Sequence, residues 1–202
     1  MPLTDRSAFT DQGRIRDCIA RAELDAVLAI QAENVIYCSG FYNFDLRMLA
    51  DRMCIVVWPR EGGPVFIVPD RRAASDASMA LVSDIRGYTL LDGVFNPHPM
   101  AMVADVLREK GLAQGRIGFE ALYLPGWHER QLQSHLPEAE LVSADYVFDD
   151  IRMVKTDAEI EQLRFAAVQT EKAIANAYDL AGPGATEKSI VDRMGYAVTK
   201  LG

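Results

Sequence analysis

Three histidines, His98, His128 and His135, are the side chains best suited to bind a catalytic metal or to carry a proton near neutral pH. His128 and His135 are seven residues apart, which on a helix places them about 10 Å apart along the axis. That separation is too large for one ion, so we interpret both as helix-surface residues. His98 lies between two prolines, where we expect a solvated loop imidazole. The histidines therefore predict no metal site in this chain.

Carboxylates and nucleophiles also lack a catalytic arrangement. Asp149 and Asp150 are adjacent and point apart, and a helix would turn Glu187 and Asp192 about 140 degrees away from each other. Cys38 has no histidine near it in the sequence, so we expect a buried thiol and not a nucleophile. We predict no catalytic residue here.

The segment 41–47, Phe-Tyr-Asn-Phe-Asp-Leu-Arg, is more suggestive, because aromatic side chains surround a carboxylate and a guanidinium. Such a mixture suits an interface or the rim of a substrate site, where Arg47 could bind a carboxylate through two hydrogen bonds. Alternatively, the aromatic rings pack beneath a sheet while Arg47 pairs with Asp45 or Asp51. The residues alone leave both interpretations open.

Composition narrows the function classes further. The chain has 202 residues, half of them hydrophobic, and a net charge of -8, which is typical of a soluble globular protein and disfavours nucleic acid as a partner. Its longest apolar runs are far shorter than the roughly 20 residues of a membrane span, so no membrane partner is expected. Three cysteines without C-x-x-C spacing indicate a reducing, cytoplasmic location.

Helix and strand patterns alternate through the first 150 residues. Helices are predicted over 7–22, 70–81, 99–110 and 125–136 with a helical turn at 32–37, and strands over 26–30, 53–58, 65–68, 85–90, 117–119 and 140–142. The Gly/Pro cluster at 59–64 predicts a hairpin between two of the strands. The fold class predicted is α/β, a mixed β-sheet with helices on both faces, for a domain over 1–150.

From residue 151 the strand patterns stop. Thr156 and Glu159 form a capping box that begins a long helix, predicted over 156–181, and Thr186 can cap a second helix. Two helices with apolar faces cannot form a core alone, so residues 151–202 either dock on the sheet domain or belong to a further domain, which we favour. Arg152 and Lys155 flank the capping box, and their side chains are either solvated at a domain junction or in a structural salt bridge.

Four segments resemble the creatinase/prolidase N-terminal domain and the start of the metallopeptidase domain that follows it. Asn34 to Phe41 matches the pattern N-x-x-Y-x-[ST]-G-[FW], and residues 56–69 are similar to the hairpin of that domain. Residues 151–164, Ile-Arg-Met-Val-Lys-Thr-Asp-Ala-Glu-Ile-Glu-Gln-Leu-Arg, resemble the junction into the catalytic domain. Residues 182–187, Gly-Pro-Gly-Ala-Thr-Glu, resemble the turn between the first two helices of the pita-bread fold.

The resemblance implies a parent M24-family enzyme with two divalent ions, Mn, Co or Zn, bridged by a water that attacks an amide or guanidinium-type carbon. The family ligands, two Asp, one His and two Glu, match no position in this chain. The resemblance thus implies a domain over 1–150, then a linker and the first helices of a truncated pita-bread domain over 151–202. We expect this chain to hold no cofactor and to be inactive without the missing C-terminal catalytic domain.

The resemblance also implies what the N-terminal domain does. In the family this domain forms a homodimer or a higher homo-oligomer. In creatinase-like members an aromatic residue and an arginine soon after the S-G segment contact substrate from the other subunit. Phe44 and Arg47 are the corresponding candidates. The implied parent cleaves a small peptide or an amino acid derivative. We favour an Xaa-Pro peptidase, with creatinase, ectoine hydrolase and sulfonium-propionate lyase activities as alternatives. A different class remains open: a stand-alone small-molecule-binding or scaffolding module without catalysis.

Overall fold

The computed structural model of the chain describes residues 6–42, 52–69, 80–90, 98–179 and 181–201. The chain divides into two compact units, residues 1–154 and residues 155–202. We call the first the sheet unit and the second the helical unit, and each is described by itself.

A sheet of six strands forms the centre of the described part of the sheet unit. Its strands are β1 (Ala26–Ala29), β2 (Ile55–Pro59), β3 (Val65–Pro69), β4 (Asp84–Tyr88), β5 (Arg116–Phe119) and β6 (Glu140–Ser143), in the order β4-β3-β2-β1-β5-β6. β2 is antiparallel to both β1 and β3, whereas the pairs β3-β4, β1-β5 and β5-β6 are parallel. The predicted mixed sheet and the predicted β2-β3 hairpin are therefore confirmed.

Helices cover both faces of this sheet, as predicted. They are α1 (Gln12–Arg21), α2 (Ala32–Ser39), α3 (Pro99–Glu109), α4 (Gly126–His135) and α5 (Asp145–Met153). Residues of α1, α2 and α5 share one core cluster with Val27 of β1, and residues of α3 and α4 share the other with Leu28. Because successive strand residues point to opposite faces, a strand covered on both sides is apolar throughout, which explains the unbroken run of β1.

Several element predictions differ from the structure. α2 is a full helix rather than a turn, and it ends on Gly40 in the left-handed conformation with φ of 66°. The predicted helix over 7–22 is a 3-10 turn, Arg6–Phe9, followed by α1, which begins after the cap Asp11. Helix α5 was not predicted. Most of the predicted helix over 70–81 lies outside the described residues.

The helical unit contains α6 (Asp157–Asp179) and α7 (Glu187–Leu201). The predicted capping box is present, because Thr156 N–H donates to Glu159 Oε2 at 2.8 Å and Glu159 N–H donates to Thr156 Oγ1 at 3.2 Å. Thr186 caps α7, with its Oγ1 accepting from Ser189 N–H at 3.2 Å. Across the described ranges of the whole chain, we find no helix with both the length and the hydrophobicity of a membrane span.

Candidate functional site

The two substrate-rim candidates, Phe44 and Arg47, lie outside the described residues. Of the same aromatic segment, Phe41 is buried, and its ring packs against Phe66 of β3 with centroids 5.7 Å apart. Tyr42 is exposed. The alternative in which an aromatic ring packs beneath the sheet therefore holds for Phe41, while the substrate-rim roles of Phe44 and Arg47 stay predictions.

A buried carboxylate, Glu120, is the centre of a polar network in the sheet unit. Its side chain is 1% exposed. It accepts hydrogen bonds from the backbone N–H groups of Ile30 at 2.5 Å and Gln31 at 2.8 Å, and from Asn34 Nδ2 at 2.5 Å. Three donors at these distances supply the partners that a buried carboxylate requires.

Strand pairing explains why Glu120 lies there. β1 and β5 are parallel neighbours, so their carboxyl ends reach the same edge of the sheet. Glu120 follows β5 directly, and Ile30 and Gln31 follow β1 and lead into α2. Gln31 does not cap α2 with its own side chain, and the carboxylate of Glu120 instead fixes the backbone just before the helix by accepting from the N–H groups of Ile30 and Gln31.

Asn34 extends this network to the end of the sheet unit. Its Nδ2 donates to Glu120, and its Oδ1 accepts from Arg152 Nη1 at 2.9 Å. Asn34 begins the motif over residues 34–41, and Arg152 belongs to the predicted junction segment. Two segments that are 118 residues apart in sequence are thus joined through one amide.

The electrostatics of the network favour a structural role. Burial raises the pKa of the Glu120 carboxyl, and the hydrogen bonds from Ile30, Gln31 and Asn34 act against this rise. Burial, with a smaller contribution from the charge of Glu120, raises the pKa of the Cys38 thiol, so the thiol stays protonated at neutral pH. The prediction that Cys38 is a buried thiol is confirmed.

The Ser-Gly pair of the motif closes α2. Ser39 Oγ donates to the backbone oxygen of Val35 at 2.6 Å and accepts from Phe41 N–H at 3.1 Å. A Cβ at Gly40 would lie 2.5 Å from Cγ of Leu81, and the positive φ would strain any L side chain there. Only glycine fits this turn.

Tyr37 connects the motif at residues 34–41 to the residues before α1 through two hydrogen bonds. Its hydroxyl oxygen accepts from Asp11 N–H at 3.1 Å, and its backbone oxygen accepts from Thr10 Oγ1 at 2.6 Å. Asp11 in turn caps α1 by accepting from Arg14 N–H at 2.9 Å. The motif residues Asn34, Tyr37, Ser39 and Gly40 therefore all position backbone, and we assign them no chemistry on a substrate.

The histidines lie where the sequence predicts. His128 and His135 are on α4, and His98 is an exposed residue just before α3. Burial, together with the charge of His98, lowers the pKa of His128. Over the described ranges, no three His, Cys, Asp or Glu side chains are placed to hold a metal ion. These residues do not fit a two-metal centre, and we derive no catalytic step through one.

The junction residues divide between the two units. Arg152 is half-buried and bonded to Asn34, whereas Lys155 is exposed. Thr156 and Glu159 satisfy each other in the capping box at the start of α6.

The sequence analysis did not single out Glu120. A carboxylate directly after the buried strand at 117–119 is the pattern that could have revealed it, since polar residues at the carboxyl ends of parallel strands often meet.

Comparisons with known proteins place the chain among hydrolase- and peptidase-like sequences. The chain is 25% identical over 177 residues to the uncharacterized hydrolase/peptidase y4tL of Sinorhizobium fredii, covering 86% of this chain and 45% of that protein. It is 28% identical over 160 residues to a creatinase from a Bacillus species, covering 76% of this chain and 35% of that enzyme. The chain thus spans about half the length, or less, of these two relatives.

Among solved structures, the Xaa-Pro dipeptidase from Bacillus anthracis has the same fold, with a TM-score of 0.74 at 20% identity. The match covers 94% of this chain and 48% of that one. The family model described as the creatinase/prolidase N-terminal domain matches residues 12–154, which include Asn34, Glu120 and Arg152. This chain belongs to the creatinase/prolidase N-terminal domain family.

Proposed function

We propose that this chain is the N-terminal part of a metal-dependent hydrolase that cleaves Xaa-Pro peptides. In this proposal residues 1–150 form an oligomerisation and substrate-rim domain, and residues 151–202 form the linker and the first helices of a pita-bread catalytic domain. One observation carries the proposal: the fold match to an Xaa-Pro dipeptidase covers 94% of the chain, and so extends past residue 154 into the helical unit.

The surface of the helical unit supports the second half of this proposal. Large apolar side chains are exposed on both of its helices, among them Leu163, Tyr178 and Tyr196. Exposed apolar side chains in such number mark a surface that another domain or subunit covers. The remainder of a catalytic domain is the occupant that the family membership favours.

The catalytic metals belong to the part of the parent that this chain does not include. Two divalent cations, Mn, Co or Zn, would supply a nucleophilic water there, and the described residues supply no ligand set for them. The 202-residue chain is accordingly inactive in this proposal. Its contribution to the parent is structural, through assembly into a dimer or higher oligomer, and sterically selective, through Phe44 and Arg47 of a neighbouring subunit.

The first test compares two proteins from the same gene. Sequencing beyond codon 202 reveals whether a metal-ligand set of two Asp, one His and two Glu follows. The longer protein is expected to hydrolyse Ala-Pro, to lose activity with a chelator and to regain it with manganese, and the 202-residue chain is expected to do none of these. Chelator-sensitive hydrolysis by the 202-residue chain would overturn the proposal.

The substrate-rim role is tested in the longer protein. Arg47→Ala is expected to raise KM about tenfold with a smaller change in kcat, because a charge-assisted hydrogen bond to substrate is lost. Arg47→Lys is expected to recover part of the loss. Arg130→Ala, which removes an exposed arginine from α4, is the matched control and leaves KM unchanged. An unchanged KM in Arg47→Ala would remove this residue from the rim.

Light scattering on the longer protein as it elutes from a size-exclusion column measures its molar mass and so tests assembly. We expect a dimer or a larger assembly of the longer protein. A monomer with full Ala-Pro hydrolysis would contradict the oligomerisation role but not the parent activity. A native stop codon after residue 202 would instead favour the stand-alone binding or scaffolding module.

A further inference from the structure

A cavity of about 180 Å³ lies beside the start of α1. Its wall includes Pro64 from the β2-β3 turn and residues 81–83, which lead into β4. A cavity of about 150 Å³ accommodates benzene in a protein core, so this one is large enough for a ring of similar size with a small substituent.

The lining has an apolar floor and a polar rim. Trp58 and Val82 are buried and form part of the floor, whereas Gln12, Arg16 and Ser83 are exposed at the rim. Among the lining residues that the structure describes, there is no aspartate or glutamate. These described residues therefore offer hydrogen-bond donors and one positive charge, with no carboxylate among them to neutralise that charge.

Arg16 is the charged group of this rim. It forms no ion pair with any residue in the described ranges, although other arginines of the sheet unit, such as Arg14 and Arg60, are paired. A guanidinium presents several N–H donors in a fixed plane and binds a carboxylate with two of them. A ligand that places a carboxylate at the rim and a compact apolar body on the floor would satisfy both halves of the cavity.

We propose that this cavity binds a small monocarboxylate whose apolar body is about the size of one six-membered ring. The proposal does not depend on the parent activity, because the described lining residues all lie between residues 10 and 83 of the sheet unit. It differs from the substrate-rim prediction, which concerns Phe44 and Arg47.

Trp58 makes the proposal measurable in the 202-residue chain. The chain has two tryptophans, Trp58 in the cavity wall and Trp127 on α4, which is 46% exposed. In Trp127→Phe, Trp58 is the single tryptophan, and its fluorescence and its indole N–H resonance report on the cavity. Benzoate is the probe, and benzyl alcohol and benzylamine are neutral and cationic analogues of the same size.

We expect benzoate to change the Trp58 signals saturably with a Kd of about 1 mM, as a ligand of this size allows. Benzyl alcohol should bind about tenfold more weakly, since it lacks the charge, and benzylamine should not bind. The Trp58 signals staying unchanged with benzoate up to about 50 mM would overturn the proposal. Equal responses to benzoate and benzylamine would also overturn it.

Arginine variants test whether Arg16 supplies the positive charge that binds benzoate. In the Trp127→Phe background, Arg16→Ala is expected to weaken benzoate binding about tenfold, and Arg16→Lys should retain most of the affinity. Arg130→Ala on α4 removes the same charge from the opposite face of the sheet and should leave the Kd unchanged. Because both arginines are exposed, these variants are expected to fold. Equal Kd values in Arg16→Ala and Arg130→Ala would show that the proposed site is wrong.

Discussion

The sheet unit and the helical unit bury apolar side chains to very different degrees. In the sheet unit, large side chains such as Trp58, Phe66 and Phe148 are almost completely buried. In the described part of the helical unit, the buried hydrophobic residues are alanines, namely Ala173, Ala177 and Ala197. Burying a large side chain contributes about 1.5–3 kcal/mol, and an alanine methyl contributes far less.

This difference shows that a segment can have the sequence periodicity of a helix without burying a hydrophobic core of its own. Both described helices of the helical unit have a side-chain N-cap, whereas among the described helices of the sheet unit only α1 has one. A cap contributes only about 1 kcal/mol, whereas most helical stability in proteins comes from packing of an apolar face. We therefore expect the sheet unit to be much the more stable of the two.

The largest expected effect is in amide hydrogen exchange. Amides of β1, at Val27 and Leu28, should exchange at least about 1,000-fold more slowly than those of α7 at Val191 and Tyr196, because opening α7 exposes little buried surface. Exchange measured by NMR or mass spectrometry on the whole chain tests this. Equal protection of β1 and α7 in a protein shown to be monomeric would contradict the comparison.

Removing the charge at the centre of the network should destabilise the sheet unit strongly. Glu120→Gln replaces one acceptor oxygen with a donor that faces N–H groups, so unfolding should become easier by about 2–3 kcal/mol. Urea unfolding followed by tryptophan fluorescence measures the change.

The matched control for this variant is Glu61→Gln, which replaces an exposed glutamate in the β2-β3 turn. It should change the free energy of unfolding by less than about 0.5 kcal/mol. Equal stabilities of the two variants would mean that the network adds nothing to the fold.

Replacing a glycine by alanine should change stability in opposite directions in the two units. At Gly118 in β5, an added Cβ would lie 2.6 Å from Leu24 Cδ1 and 2.7 Å from Ala144 Cβ, so Gly118→Ala should cost about 1–3 kcal/mol. At Gly195 in α7, an added Cβ meets nothing within 4 Å, so Gly195→Ala should stabilise that helix by about 0.5–1 kcal/mol.

Thermal unfolding measures Gly118→Ala, and the helical circular dichroism signal together with α7 amide exchange measures Gly195→Ala. Destabilisation of α7 by alanine would show that this glycine is required for packing, and would weaken the contrast between the units.

The capping box of α6 should have a small effect that stays local to that helix. Thr156→Ala removes the acceptor of Glu159 N–H and should destabilise the first turn of the helix by about 1 kcal/mol. Amide exchange at residues 157–160 measures the change, and Thr156→Ser, which keeps the hydroxyl, is the control. A loss of the same size at β1 would contradict a local effect.

Local signals in the sequence were enough to predict much of the fold. The apolar run of β1 predicted a strand covered on both faces, and the Gly/Pro cluster at 59–64 predicted the hairpin. Helix α5 was missed. Its buried residues Val147, Phe148 and Ile151 follow helical spacing, but the helix has only nine residues, which is a short stretch for a periodicity signal.

The candidate site was only partly predictable. The motif at 34–41 was found by its resemblance to a family, yet nothing in that segment shows that Asn34 bonds to a glutamate 86 residues later and to an arginine 118 residues later. Partners so distant are set by strand order, and strand order follows from the packing of the whole sheet.

The amino-acid sequence by itself determined the capping box of α6, the cap of α7 and the strand of unbroken hydrophobicity, because each depends on residues within a few positions of one another. The tertiary structure decided the role of Glu120. Its position directly after an apolar strand indicates the edge of the sheet but not its partners. Only the parallel pairing of β1 with β5 brings it next to the N–H groups of Ile30 and Gln31, which compensate its burial.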